Sequence, residues 1–192
     1  MHATTFKCEV TPLKDLDYIQ ASENSLVAIS TDNKIHLMKL GEEVRSLHLK
    51  NNTVLLRIST LGNLIVVLGW NEETRESVYF LYNTDLKYRD ELVVKSGSRG
   101  RAMKVKYYRG YPHVITLDED KKISIFGIVN DRFKILLPSY EGNFSDCYGF
   151  SLYDNNLLLY GKYGFLRSFE LSSSADEDDN ISQAASSSKL RQ

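Results

Sequence analysis

Four times along the chain, a short β-rich apolar run meets a polar turn, and a second run follows in which apolar and polar positions alternate. The clearest case is residues 112–128, PHVITLDEDKKISIFGI. Val114, Ile115 and Leu117 make the first run, and residues 118–121 make a charged turn. Ile123, Ile125 and, less cleanly, Gly127 then share one side, while Ser124 and Phe126 take the other. Period-two alternation on one side of a charged turn predicts a tight antiparallel hairpin.

The same figure recurs, and it sets the predicted strands. The first unit takes residues 18–22, 25–30 and 35–40. The second takes 44–49, 53–58, 64–69 and 78–82, with a long charged loop over 71–76. The third takes 91–94, 104–108, 113–117 and 122–128, and the fourth 133–137, 147–153, 156–160 and 166–171. The fourth turn, residues 161–164, carries two glycines, which suit positive φ. The turns centre near Asn33, Thr74, Glu119 and Lys162, about 41, 45 and 43 residues apart. Four short strands repeating every 40 to 45 residues is the spacing of propeller blades.

On these stretches (LVAISTDNKIHLMKL, LIVVLGWNEETRESVYFLY, HVITLDEDKKISIFGI and LLLYGKYGFLRSFEL) the chain resembles the WD40-like β-propeller family. The resemblance runs over residues 8–171 and implies an all-β, β-propeller-like fold of about four four-stranded blades. It departs from the family pattern at two points: no unit ends a strand on Trp-Asp, and none opens on Gly-His. Four units also fall short of the seven or so blades that usually close such a ring. Three outcomes follow: an open ring completed or capped by a partner, a share of a larger assembly, or closure with four blades. A sandwich or barrel of twelve or more strands is the alternative architecture. Unpaired strand edges on an open ring invite association.

Composition changes abruptly after Leu171. Residues 172–192 are Ser-rich and acidic, with Ile181 the only sizeable aliphatic before Leu190. Such a segment buries too little apolar surface to offset its ordering entropy, so a disordered tail follows a 1–171 domain. Ser173 and Ser174 each have an acid three residues on, a short match to acidophilic kinase sites. The bland reading is a solvated tail.

The 192 residues carry a net charge of −1, which excludes a strong overall field for nucleic acid or membrane. Locally the charge is uneven. Residues 95–111, KSGSRGRAMKVKYYRGY, hold Lys95, Arg99, Arg101, Lys104, Lys106 and Arg109 with no acid, interleaved with Tyr107, Tyr108 and Tyr111. Cations beside aromatics suit a phosphate backbone with stacked bases, or an acidic protein surface. Gly97 and Gly100 suggest an exposed loop between the first two strands of the third unit. The plain reading is a solvated strand whose lysines guard an edge. Trp70 ends a strand beside the acidic loop and is either an exposed anchor or packed between blades. The tyrosines of the fourth unit suit packing between sheets, with some left exposed on a final, uncapped blade.

No catalytic constellation stands out. Cys8 and Cys147 form no C-x-x-C pair and read as reduced thiols of an intracellular protein. His36 and His48 fall on polar phases of alternating runs, so surface positions are expected; no histidine has metal spacing. Residues 1–7 lack the apolar core of a secretory signal, and no run is long enough to span a membrane. No G-x-S-x-G elbow, phosphate loop or dinucleotide fingerprint occurs.

The expectation is therefore a non-enzymatic scaffold subunit of an intracellular complex, nuclear or cytoplasmic, with protein partners, no cofactor and no small-molecule substrate. Its contact residues would be Arg99, Arg101, Lys104, Arg109 and Trp70. The alternative is a nucleic-acid-binding module using the basic loop 95–109. A phosphoinositide-binding propeller would carry a Phe-Arg-Arg-Gly motif, which is missing.

Overall fold

The computed structural model describes residues 11–19, 25–49, 52–108, 110–135, 147–153, 156–164 and 166–170. They form four antiparallel sheets. The first holds β1 (Leu13–Tyr18), β2 (Ser25–Ser30), β3 (Lys34–Lys39) and β4 (Arg45–His48). The second holds β5 (Thr53–Leu61), β6 (Leu64–Asn71), β7 (Glu76–Asn83) and β8 (Tyr88–Val94). The third holds β9 (Gly100–Tyr108), β10 (Tyr111–Asp118), β11 (Ile123–Val129) and β12 (Arg132–Ile135). The fourth has three described strands, β13 (Cys147–Tyr153), β14 (Asn156–Gly161) and β15 (Leu166–Glu170). In every sheet the strands follow one another in chain order, so each is an up-and-down meander. This is a propeller-like, all-β arrangement.

The sheets are cut one strand later than the repeat suggests. The sequence units open with 44–49, 91–94 and 133–137, whereas these runs close the preceding sheet as β4, β8 and β12. Local turns decide it. Between β11 and β12, Asn130 and Asp131 both take positive φ (52° and 57°), as a two-residue type I′ hairpin requires. Between β7 and β8, the Asn83 side-chain oxygen accepts from the Asp85 and Lys87 amides. These short links pair the strand backwards with its hairpin neighbour.

Three layers of core lie between successive sheets. Val27, Ile29, Ile35 and Leu37 meet Ile65, Val67 and Phe80 between the first and second. The opposite face of the second sheet, Val66, Leu68, Tyr79 and Leu81, meets Met103, Val105, Val114 and Phe126. Ile115, Leu117, Ile123 and Ile125 then meet Phe150, Leu157 and Leu159. Sheets covered on both faces explain why β6 and β7 read as nearly continuous apolar runs. Gly100 is required where it stands: a Cβ would lie 2.3 Å from Leu68 Cδ2.

First strands pack against first strands, β1 on β5 and β5 on β9. A first strand is a sheet edge, with amides that need partners. Here the preceding sheet supplies them. Asp15 and Asp17 accept from the amides of Ile58 (3.0 Å) and Thr60 (2.9 Å). Ser59 Oγ accepts from the Val105 amide at 3.1 Å. On the outer strands, Asp90 accepts from the Phe133 amide at 2.8 Å.

One of the two histidine expectations is corrected. His48 is exposed, but His36 is buried. Its ring bridges Ser46 Oγ (2.8 Å) and Ser30 Oγ (2.9 Å), and Ser30 donates to Asp32 beside Lys34. Hydrogen-bond partners at both ring nitrogens let a residue on a polar phase sit inside. The positive φ of the fourth turn falls on Tyr163 and Gly164 and not on Gly161, which stays in β14.

Candidate functional site

Three links come together at one end of the second and third sheets. They are the β6–β7 turn with Glu72 and Arg75, the β8–β9 connection with Ser98 and Arg99, and the β10–β11 turn with Glu119 and Asp120. They line a cleft of about 500 Å³. The basic loop is thus a link between sheets, not a loop inside the third, because β8 belongs to the second sheet. Backbone bonds fix its walls: the Glu119 amide donates to the Arg99 carbonyl at 2.9 Å, and the Asp118 side chain accepts from the Lys122 amide at 2.8 Å. Burial pushes the Asp118 carboxyl above its ordinary range, partly offset by the bonds to Lys122 and Ser98.

The predicted contact residues separate. Arg99 lines the cleft, ion-paired with Glu72. Trp70 also lines it but is only 5 % exposed, which corrects the exposed-anchor reading. Arg101 turns toward the fourth sheet, its guanidinium 5.3 Å from the Tyr148 ring centre, while its carbonyl accepts from Arg57 Nε at 2.7 Å. Lys104 and Lys106 are exposed on β9, alternating with buried Met103 and Val105. Arg109, Ser173 and Ser174, with the whole 172–192 segment, lie outside the described residues. The basic run is therefore dispersed: one arginine on an acid, one on an aromatic, the lysines along a strand.

Sequence reasoning missed Glu72, Arg75, Glu119 and Asp120 as site residues. All occupy hairpin turns, where charge reads as ordinary solvation. The available signal was positional: the turns of two successive repeats, about 45 residues apart, are neighbours in any stacked-sheet fold.

A second surface is the outward face of the fourth sheet. Leu157 and Leu159 point into the core, so Asn156, Leu158 and Tyr160 point away. Cross-strand register adds Leu166 opposite Tyr160, and Tyr153 opposite Asn156. Tyr153, Tyr160 and Leu166 are 69 %, 51 % and 69 % exposed. Tyr160 lies over Gly149, whose absent side chain makes room for the ring: a Cβ would stand 2.5 Å from the hydroxyl. Among the described residues, β15 pairs with β14 and with no other strand.

Among the described residues, no group of three or more His, Cys, Asp or Glu is placed to hold a metal ion, and no helix is long and apolar enough to cross a membrane. The Cys147 thiol is buried, and burial raises its pKa.

No family model matches the chain, and no curated protein resembles it in sequence. Solved structures do share its fold. The computationally designed Ika4 protein superposes with a TM-score of 0.65 at 15 % identity, over 88 % of this chain and 96 % of that one. A chain of the Mitotic Checkpoint Complex gives 0.62 at 11 % identity, over 82 % of this chain and 50 % of that one. A chain from the structure of BBS1N in complex with ARL6DN, soaked with mercury, gives 0.56 at 14 % identity, over 79 % and 48 %. This chain thus spans about half the length of the last two. At these identities the likeness speaks for the fold alone: this is a propeller-like chain of four successive sheets.

Proposed function

We propose that the chain is a non-enzymatic, propeller-type scaffold subunit that holds protein partners within an intracellular complex. The observation that carries this reading is the outward face of the fourth sheet. The facing surfaces of successive sheets are buried against one another, whereas this one offers Tyr153, Leu158, Tyr160 and Leu166 beside the β15 edge. Aromatic and aliphatic groups on an exposed sheet are the raw material of a protein interface. Two of the structural neighbours come from multi-protein complexes, which agrees with such a role.

The test is affinity purification of the tagged full chain and of a Tyr160→Glu/Leu166→Glu variant. Partners recovered with the first and lost with the second, at equal thermal stability, are expected. Equal recovery by both would remove this surface from the function. The nucleic-acid reading gains no support, since Arg99 is paired with Glu72 and Arg101 is spent on Tyr148.

A further inference from the structure

We infer that the cleft between the second and third sheets is a binding site for a basic side chain, lysine or arginine, carried by an extended peptide of a partner protein. The inference deepens the scaffold reading and rests on it.

Charge comes first. Arg99 and Glu72 pair with each other, which removes one cation and one acid from the cleft. Glu119, Asp120 and Arg75 remain, a net single negative charge at the mouth. Glu119 and Asp120 are exposed, and neither forms an ion pair among the described residues. Their main-chain amides are already engaged, with the Arg99 carbonyl and Ser98 Oγ, so the carboxylates are held at the mouth by a braced turn. Two adjacent carboxylates on a fixed turn present acceptors for one ammonium or guanidinium group.

The second, independent observation is Trp70. The residue is 95 % buried, and no described residue accepts from its indole N–H. No fully buried side-chain nitrogen lacks a partner, so this N–H keeps some access to solvent, and the residue lines the cleft. An unused indole N–H donor suits a peptide carbonyl. Arg75 provides a second donor for the peptide main chain. The volume, about 500 Å³, accommodates one long side chain with its flanking peptide units. An acidic or phosphorylated ligand would meet Glu119 and Asp120 head-on.

The chain has a single tryptophan, so its fluorescence reports this cleft. The full chain is titrated with the blocked peptide acetyl-Gly-Ala-Arg-Ala-Gly-amide and with versions carrying Gln or Glu in place of Arg. A saturable change is expected with the Arg peptide, at least about fivefold weaker binding with Gln, and none with Glu. A Glu119→Gln/Asp120→Asn variant with an unchanged circular dichroism spectrum should bind the Arg peptide about tenfold more weakly. No saturable change up to millimolar peptide, an equal response to the Glu peptide, or full affinity in the folded double variant would each overturn the inference. The Tyr160→Glu/Leu166→Glu protein separates the two readings. It should keep the peptide response while losing partners. Partner capture that persists in wild type without any peptide response would strike out the cleft alone.

Discussion

Between the second and third sheets, Ser59 offers its hydroxyl oxygen to the Val105 amide; one sheet further on, the matching position is Lys104, which has no acceptor to offer. The match is fixed by register. Asp17, Ser59 and Lys104 pair with Val27, Val66 and Ile115, and each of these three faces the next sheet. Asp17 serves Thr60 as Ser59 serves Val105. At the third junction, other contacts replace this link: Arg101 over Tyr148, and Lys121 Nζ donating to the Cys147 carbonyl at 3.3 Å. Long, flexible cations hold a neighbouring sheet less tightly than a short acceptor on a main-chain amide, because more rotamer entropy is lost per bond. Among the described residues, the first three sheets are tied through their first strands by acceptors on main-chain amides, and the fourth meets the third through an apolar layer and the contacts of Arg101 and Lys121.

That contrast can be broken experimentally, most severely in the core. Leu68→Ala, in the layer between the second and third sheets, should cost about 3 kcal/mol of unfolding free energy. Leu157→Ala, in the layer between the third and fourth, should cost at least about 1 kcal/mol less, since the fourth sheet, exposed on its outward face, can relax around the lost side chain. Urea unfolding of both variants checks this; equal losses would mean that the two junctions are equally rigid. A smaller effect sharpens the same point. Ser59→Ala leaves the Val105 amide without its acceptor and should cost about 1 to 3 kcal/mol, whereas Lys104→Ala should lie within about 0.5 kcal/mol of wild type.

The smallest expected effect is a pH dependence. His36 and His113 are buried, and burial lowers both imidazoles below their ordinary 6.5. Asp32 pulls His36 the other way and Lys34 reinforces the lowering, while the bond to the Tyr111 carbonyl opposes it at His113. The folded chain therefore refuses protons that the unfolded chain accepts. Stability is complete above about pH 6.5 and falls as the pH drops through the window beneath it, until the folded imidazoles protonate. Thermal unfolding between pH 7.5 and about 5 should show the decline, and His36→Gln should flatten it. A flat wild-type profile would mean that the two rings are hydrated in solution.

Much of this was legible in the alternation itself. Hairpins such as β10–β11 and β6–β7 fall where the apolar runs and polar turns put them, because strand period and turn chemistry are local. The repeat distance carried the stacking of four sheets, since each unit has apolar faces it cannot cover alone. The basic run was legible as composition only. Its dispersal, Arg99 to Glu72 and Arg101 to Tyr148, depends on residues 27 and 47 positions away.

By itself, the order of residues determined an all-β chain of four similar units, because side-chain alternation and turn propensity act within a few residues. Only the tertiary structure decided which strand closes each sheet, that His36 and Trp70 lie inside, and that three separate turns enclose one acidic cleft. Those outcomes rest on contacts between repeats, where burial, a paired amide or a distant acid can override what a residue's own neighbourhood favours.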